Sequence, residues 1–381
     1  MRKGLRNGLI CLGSLFLLVV VALVLTRCGS IVSGELTANG KAFNFREPPC
    51  QAAAITKPPA GDVDIRYLGS GGIYVGWKGS AILLGPFFSN PSVLAARFGK
   101  LRYDTDRIRQ HMKDIDSGSV RAILVGHSHY DHLGDVPVVA RQFAPAATIY
   151  ANITGVRMLA AYPDLKGRTR TVDESVLIDI TDTTGVETMR IHPVKSDHAP
   201  QLCSWRRWPC DFATGPVDHE WTMPFEEHNL REFSGGQTYA YVIDLLDEGR
   251  IRYRIYYNDA AAEAPLGLPT PELSAAHPYD LAVICMASYD FVRNYPTMLL
   301  GAIKPRHIIL SHYENFFSKS EGRWEFVPLL TDAKADVFIR ELREHTVISP
   351  LPPVNAVCGP STRDWTMPVP AAQLLFRPDG Q

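Results

Sequence analysis

Residues 9–25 form one uncharged apolar run, preceded by Arg2, Lys3 and Arg6. The run just reaches the length of a membrane-crossing helix and exceeds a usual signal-peptide core. From Gly29 to about Ala60 the chain turns to Gly, Ser, Thr, Asn and Pro, including Pro48-Pro49 and Pro58-Pro59, as a spacer does. Periodicity begins at 62–68, which alternates like a half-buried strand. Gly69-Ser70-Gly71-Gly72 then turns, and 73–77 and 81–84 read as further strands of an antiparallel meander. Residues 122–125 make a short apolar strand that opens directly onto Gly126-His127, and 135–143 has helical spacing. Strand and helix then alternate, with 148–151 strand, 155–162 helix and 188–194 strand. A hairpin is expected for 239–246 and 251–257 across Asp247-Glu248-Gly249. Two buried strands, 281–286 and 307–310, precede an amphipathic helix over 331–344. The mixture predicts an α/β fold in which sheets pack together with helices outside, rather than a purely parallel doubly wound sheet.

This pattern divides the chain into a leader (1–28), a linker (29–60), a folded domain (61–350) and a C-terminal extension (351–381). Within the domain, 202–236 interrupts the alternation. It carries Trp205, Arg206, Arg207, Trp208, Phe212, Trp221, Phe225 and Phe233, and reads as an insertion or lid over one end of the fold. At 381 residues the chain can bury a large core. Its 39 basic and 40 acidic residues leave no electrostatic footprint for nucleic acid, and none is expected as a partner. The basic flank places the N-terminus in the cytoplasm and the body beyond the membrane, on the periplasmic or extracellular side. Leu25-Thr26-Arg27-Cys28 resembles a lipoprotein cleavage box, with Arg27 where a small residue is usual, so the leader is a signal anchor or a lipoprotein signal, with soluble secretion as the remaining alternative. Export makes disulfides feasible. Cys203 with Cys210 would close a small loop and Cys50 with Cys358 would join the domain's ends, the alternative being free thiols, while Cys285 reads as a buried strand residue.

The chemistry is concentrated in Gly126-His127-Ser-His129-Tyr-Asp131-His132-Leu-Gly134-Asp135, with three imidazoles and a carboxylate in six residues at a strand end. Imidazole and carboxylate are donors for Zn, Mn or Fe, and a strand-to-helix turn lets them converge from one stretch of backbone. The motif H-x-H-x-D-H after an apolar strand resembles the signature of the metallo-β-lactamase fold superfamily, over roughly 62–350. That resemblance implies a four-layer αβ/βα sandwich and two divalent cations, Zn with Mn or Fe as alternatives. The first would be held by His127, His129 and a later histidine, the second by Asp131, His132 and a last histidine, with an aspartate shared. Position by position, His198 in Ser196-Asp197-His198 takes the third place in preference to His192, Asp259 after Asn258 the shared one, and His312 after Ser311 the last. Gly85, in Leu84-Gly85-Pro86, stands where relatives commonly carry Asp, and removes a supporting carboxylate.

The implied activity is hydrolysis by a water that the two cations activate between them, with Asp131 or Asp259 as the catalytic carboxylate. Tyr130, His219 and His228 are candidate contacts to the oxyanion or leaving group. Tyr67-Leu-Gly-Ser-Gly, Pro86-Phe-Phe-Ser-Asn-Pro91 and Ser311-His-Tyr313 are similar to the branch containing N-acyl-phosphatidylethanolamine phospholipase D and the ascorbate-lactone hydrolases. That similarity implies a phosphodiester, possibly phospholipid, or a lactone as substrate, a small molecule or lipid met at the membrane. The alternatives from other classes are a metal-binding protein without turnover and an iron-dependent redox enzyme of the same fold.

Overall fold

The computed structural model describes residues 35–38, 41–44, 54–200, 215–319, 325–328, 330–344, 352–355 and 362–378. The expected leader lies outside the described residues, as do Cys50, Cys203, Cys210, Cys358 and the 201–214 part of the insertion with Trp205, Trp208 and Phe212. Among the described residues no helix is long and apolar enough to cross a membrane. The stretch expected to be a spacer contains a short antiparallel hairpin, β1 (Glu35–Ala38) and β2 (Lys41–Asn44), which joins neither large sheet.

Two seven-stranded sheets make the body. The first is built from β3 (Val63–Gly69), β4 (Gly72–Trp77), β5 (Ser80–Leu84), β6 (Val120–Leu124), β7 (Thr148–Ala151) and β8 (Thr169–Thr171). The second uses β9 (Ile178–Thr181), β10 (Glu187–Ser196), β11 (Thr238–Asp247), β12 (Arg250–Asn258), β13 (Leu281–Cys285) and β14 (Ile308–Ser311). Each sheet begins antiparallel and ends parallel. The change falls between β5 and β6 in the first, and between β12 and β13 in the second. The outer elements include α1 (Val93–Phe98), α2 (Thr105–Met112), α3 (Tyr130–Leu133), α4 (Val136–Gln142), α5 (Ile153–Leu159), α6 (Pro271–Ala276), α7 (Thr297–Ile303) and α8 (Asp332–Glu344). The body is thus an α/β sandwich of two mixed sheets with helices outside, as the alternation of elements predicted.

The strands β3, β4, β5 and β13 are buried along their whole length, because one face meets the other sheet and the opposite face meets helices or loops. That explains their near-continuous apolar runs. Polar bonds stitch the two sheets across this core. Trp77 Nε1 donates to Leu246 O at 2.8 Å, Tyr241 Oη to Val125 O at 3.0 Å and Tyr257 Oη to Gly71 O at 3.0 Å.

The boundary expected at 350 does not hold. Trp365–Thr366 forms β15, parallel to β14 at the edge of the second sheet, and Gln373–Phe376 forms β16, antiparallel to β3 at the edge of the first. Trp365, Leu374 and Phe376 are core residues. The last part of the chain is therefore a clasp on both sheets. Two strands of two and four residues carry too little alternation to be distinguished from a tail.

Burying Trp365, Leu374 and Phe376 stabilises the fold by roughly 1.5–3 kcal/mol each. Truncation after residue 350 is therefore expected to remove most of the stability of an ordinary domain. The measurement is soluble yield and the melting transition. A truncated chain that melts within a few degrees of the full one would show that the clasp is dispensable.

Candidate metal centre

The motif loop leaves β6 and is tied down on every side. The Val125 amide donates to Tyr150 O at 2.9 Å, the Tyr239 amide to Gly126 O at 2.8 Å and the Ser128 amide to Gly235 O at 2.9 Å. His129 then caps the one-turn helix α3, which carries Asp131 and His132. Buried Asp135 anchors the next turn. It accepts from the Phe88 amide at 2.7 Å, the Ser89 amide at 2.9 Å and Ser89 Oγ at 2.6 Å. Burial nevertheless pushes its carboxyl up to about 6.

Three later strand ends complete the constellation: His198 follows β10, Asp259 follows β12 and His312 follows β14. His127, His129 and His198 each bring one donor atom within 4.8 Å of the others, and so do His127, Asp131 and His132. Asp259 lies under both groups, with Oδ1 3.2 Å from His127 Nδ1 and Oδ2 3.4 Å from His132 Nδ1. Asp131 Oδ2 is 3.6 Å from His132 Nε2 and 3.3 Å from His312 Nε2. All seven residues expected as ligands thus converge on one place. The competitor His192 is elsewhere, on β10, with its Nε2 3.3 Å from Asp244 Oδ2.

Whether these residues fit metal ions can be tested on their own hydrogen bonding. Buried polar atoms are normally satisfied. Here His127 Nε2, both nitrogens of His132, His312 Nδ1 and Asp259 Oδ2 are buried without a hydrogen-bond partner among the described residues. Leaving each such atom unpaired costs about 1–3 kcal/mol, and the only economical reason to collect so many is a ligand that pairs with them together. The charge states agree. Burial pushes His127 and His198 down to about 4 and His132 to about 3, so all three are neutral donors at pH 7. Burial alone would raise Asp131, but His132 and His312 outweigh it and hold its carboxyl well below the usual range. His312 is the exception among the rings. Burial lowers it, yet Asp131 outweighs burial and raises it. The residues fit bound metal, and imidazole with carboxylate and no thiolate suits Zn, Mn or Fe.

Close backbone approach makes this density possible. A Cβ on Gly126 would lie 2.4 Å from Asp259 Oδ2, and one on Gly71, at φ +77°, would meet His132 and His312 at 3.4 Å. The glycine-rich turn between β3 and β4 is thus part of the wall of the centre. Gly85 approaches too, its Cβ position being 3.1 Å from His132 Nδ1. No side chain arises there to hold that nitrogen, which instead has the Asp259 carboxylate beside it.

Several supporting residues were not legible as site residues. Tyr67 accepts the His312 amide at 3.0 Å and donates its hydroxyl to Glu314 Oε2, while the Ser70 amide donates to Glu314 Oε1. The clamp holds His312 in a left-handed backbone at φ +56°, a costly conformation for a non-glycine residue. Asn152 caps α5 through the Gly155 amide and accepts from Ser128 Oγ, both at 2.8 Å. Its Nδ2 donates to Gly235 O and Gln237 O, which presses 235–237 onto His129. The only early signal for Asn152 was its place before a helix. Tyr67 stands in one of the similar short motifs, but nothing in the sequence ties it to Glu314, 247 positions away.

The remaining candidates have other partners. His219 is exposed beside Asp218, and His228 stacks on Trp221 at 3.6 Å and pairs with Glu232 at 2.8 Å. Tyr130 is buried edge-on against Phe87. In the described part of the insertion, Trp221, Phe225 and Phe233 pack edge-to-face on one another and are buried, so those aromatics belong to the core.

No family model matches the sequence, and no curated protein matches it. Solved structures similar to the chain include Igni18, a metallo hydrolase from Ignicoccus hospitalis, at 12% identity and TM-score 0.49, covering 83% of this chain and 98% of that one. YhfI from Bacillus subtilis, a metallo-beta-lactamase fold protein, is similar at 11% identity and TM-score 0.43, with 82% and 99% covered. The diiron beta-hydroxylase CmlA from Streptomyces venezuelae reaches 12% and 0.40, with 75% and 52% covered. These likenesses are distant, and the fold assignment rests on the strand order and register above.

Gly126→Ala is expected to displace the Asp259 carboxylate and cut bound metal to well under half of wild type, read by elemental analysis of purified protein. Full occupancy in that variant would contradict the geometry. A second expectation concerns the metal-free protein. Burial lowers His111, His127, His198 and His307 to about 4 and His132 to about 3, against about 6.5 in the unfolded chain. Between those values the unfolded state binds more protons, so the full contribution is present above about pH 6.5 and is lost as pH falls toward 4. Each such histidine subtracts up to about 1.4 kcal/mol per pH unit in that window. Denaturant titrations at pH 7, 6 and 5 should show falling stability, and a flat profile would refute the neutral buried rings.

Proposed function

We propose that the chain is a metal-dependent hydrolase that holds two divalent cations, Zn in the first instance. His127, His129 and His198 would hold one and Asp131, His132 and His312 the other, with Asp259 between them. The observation that carries this reading is the set of buried ring nitrogens and carboxylate oxygens left without partners at a single place. Bound there, such ions lower the pKa of water and offset negative charge that develops on the substrate.

The chain's own groups divide the remaining work. Asp259 is almost fully buried and takes the Nδ1 side of His127, which leaves Nε2 as that ring's donor. Asp131 is the more accessible carboxylate, 8% exposed against 1% for Asp259. It is the one an incoming water reaches, and being held ionised it accepts that water's hydrogen bond and passes the proton on. Water oxygen adds to phosphorus or to an acyl carbon, the ester P–O or C–O bond breaks, and the departing oxygen takes up the proton. No serine or cysteine nucleophile is called for. The Tyr67–Glu314 clamp keeps His312 aimed at Asp131 throughout.

A phosphodiester, including a phospholipid, or a lactone is the substrate class we favour. Support comes from the short similarities at 67–71, 86–91 and 311–313 and from the membrane-type leader in the sequence, which would place the centre on the extracytoplasmic side. The test is metal analysis of purified full-length protein coupled to a panel of phosphodiester, phospholipid, lactone and thioester substrates. Close to two metals per chain and turnover of a phosphodiester or lactone are expected. Asp131→Asn should lower kcat by about 10²-fold or more, and His127→Ala should abolish it. Less than one metal per chain, with no activity on reconstitution, would overturn the proposal.

A further inference from the structure

Helix α1 turns apolar side chains outward. Phe98 is 74% exposed and Leu94 64%, one turn apart on the same face, with Val93 beside them at 41%. Single exposed apolar residues are ordinary, but three on one six-residue helix beside unpaired cations call for a partner. Arg97 lies over the Phe98 ring at 5.1 Å. Arg97 Nη1 and Arg231 Nε are buried without hydrogen-bond partners among the described residues. Among the described residues neither arginine has a carboxylate in ion-pair range, nor has exposed Arg102. The nearby acids are already engaged: Glu227 by Lys100, Glu232 by His228 and Asn229, and Asp104 by Lys319. Arg231 also opposes the charge on Arg97. The face is therefore apolar and bordered by three arginines that have no carboxylate in ion-pair range among the described residues.

Its position matters as much as its composition. The segment after α1 is joined to 228–230 by the Leu101 amide to His228 O at 3.2 Å and the Leu230 amide to Gly99 O at 3.0 Å. Four residues after Arg231 the chain reaches Gly235, whose Cβ position is 3.0 Å from His129 Nε2. Even fully extended, that span is at most about 14 Å. The face therefore adjoins the rim of the candidate metal centre. In the sequence, the apolar run 9–25 precedes the folded body by a Gly-, Ser- and Pro-rich stretch at 29–60. An anchored run there would tether the folded body beside a bilayer.

We propose that α1 and the adjoining 228–232 turn form a docking face for an anionic bilayer surface. Leu94 and Phe98 enter the boundary between headgroups and acyl chains, and Arg97, Arg102 and Arg231 meet lipid phosphates. The mouth of the metal centre then faces the membrane. Docking depends on neither bound metal nor turnover, so it stands or falls separately from the hydrolase reading.

The experiment is amide hydrogen exchange over 93–101 in the metal-free full-length chain, in nonionic detergent and after reconstitution into phosphatidylcholine vesicles with or without phosphatidylglycerol. Exchange in the anionic vesicles is expected to slow about tenfold or more against both other conditions, and to recover in high salt. It should also recover in Leu94→Glu/Phe98→Glu and, as an independent pair, in Arg97→Gln/Arg231→Gln, with the melting transition of each checked against wild type. Equal exchange in all three environments would overturn the proposal. So would protection that depends on protein concentration in detergent, which would assign the face to a second copy of the chain, or equal protection in neutral and anionic vesicles.

Discussion

The centre depends on one constraint: several imidazole and carboxylate atoms are buried together without a hydrogen-bond partner among the described residues. A folded chain would ordinarily avoid such an arrangement, because each desolvated, unpaired donor or acceptor costs free energy that packing has to offset. The sandwich tolerates it by drawing the donors from strand ends, where the backbone leaves the ladder and side chains can turn inward. β6, β10, β12 and β14 each deliver ligand candidates at or just beyond their last residue. The rigid interiors of both sheets then hold the positions without help from the ligands themselves.

That division of labour explains where the glycines fall. Gly71 and Gly126 sit where the backbone of one sheet comes within side-chain contact of donors from the other; at Gly126 the space for a Cβ is already taken by Asp259, and at Gly71 the left-handed backbone, φ +77°, strains any other residue. The cross-sheet bonds from Tyr241 to Val125 and from Tyr257 to Gly71 fix that approach from the other side. Sheet-to-sheet spacing and ligand geometry are consequently one quantity. A change that opens the sandwich would also spread the ligands.

Much of this was legible beforehand because it is local. The strand over 148–151 has the bounds read from the sequence, the hairpin across Asp247-Glu248-Gly249 is present, and His127 to Asp135 announced a ligand loop by its density alone. Preferring His198 to His192 rested on the family resemblance and on the expectation that ligands follow strand ends, and the structure puts His192 against Asp244. Helices α1 and α2 passed unnoticed. They are short, and their caps, Ser92 and Asp104, stand among other turn-forming residues. The strands β15 and β16 were hidden for a different reason. Their pairing partners β14 and β3 lie far away in sequence, and long-range register leaves no trace in a segment of two or four residues.

The clamp on His312 shows the same limit in the site itself and indicates why the ends of the chain matter to it. His312 occupies a left-handed backbone because its amide is taken by Tyr67 of β3 and the following turn carries Glu314 back to the same hydroxyl and to Ser70. Tyr67 in turn lies on the strand that β16 covers, its amide donating to Ala372 O at 3.0 Å while its carbonyl accepts from the Ala371 amide at 2.7 Å. The last metal-ligand candidate is thus held by the first large strand, and that strand is held by the C-terminal segment. A chain of contacts from residue 372 to residue 67 to residue 312 makes the far end of the sequence part of the support of the centre, although it supplies no ligand candidate.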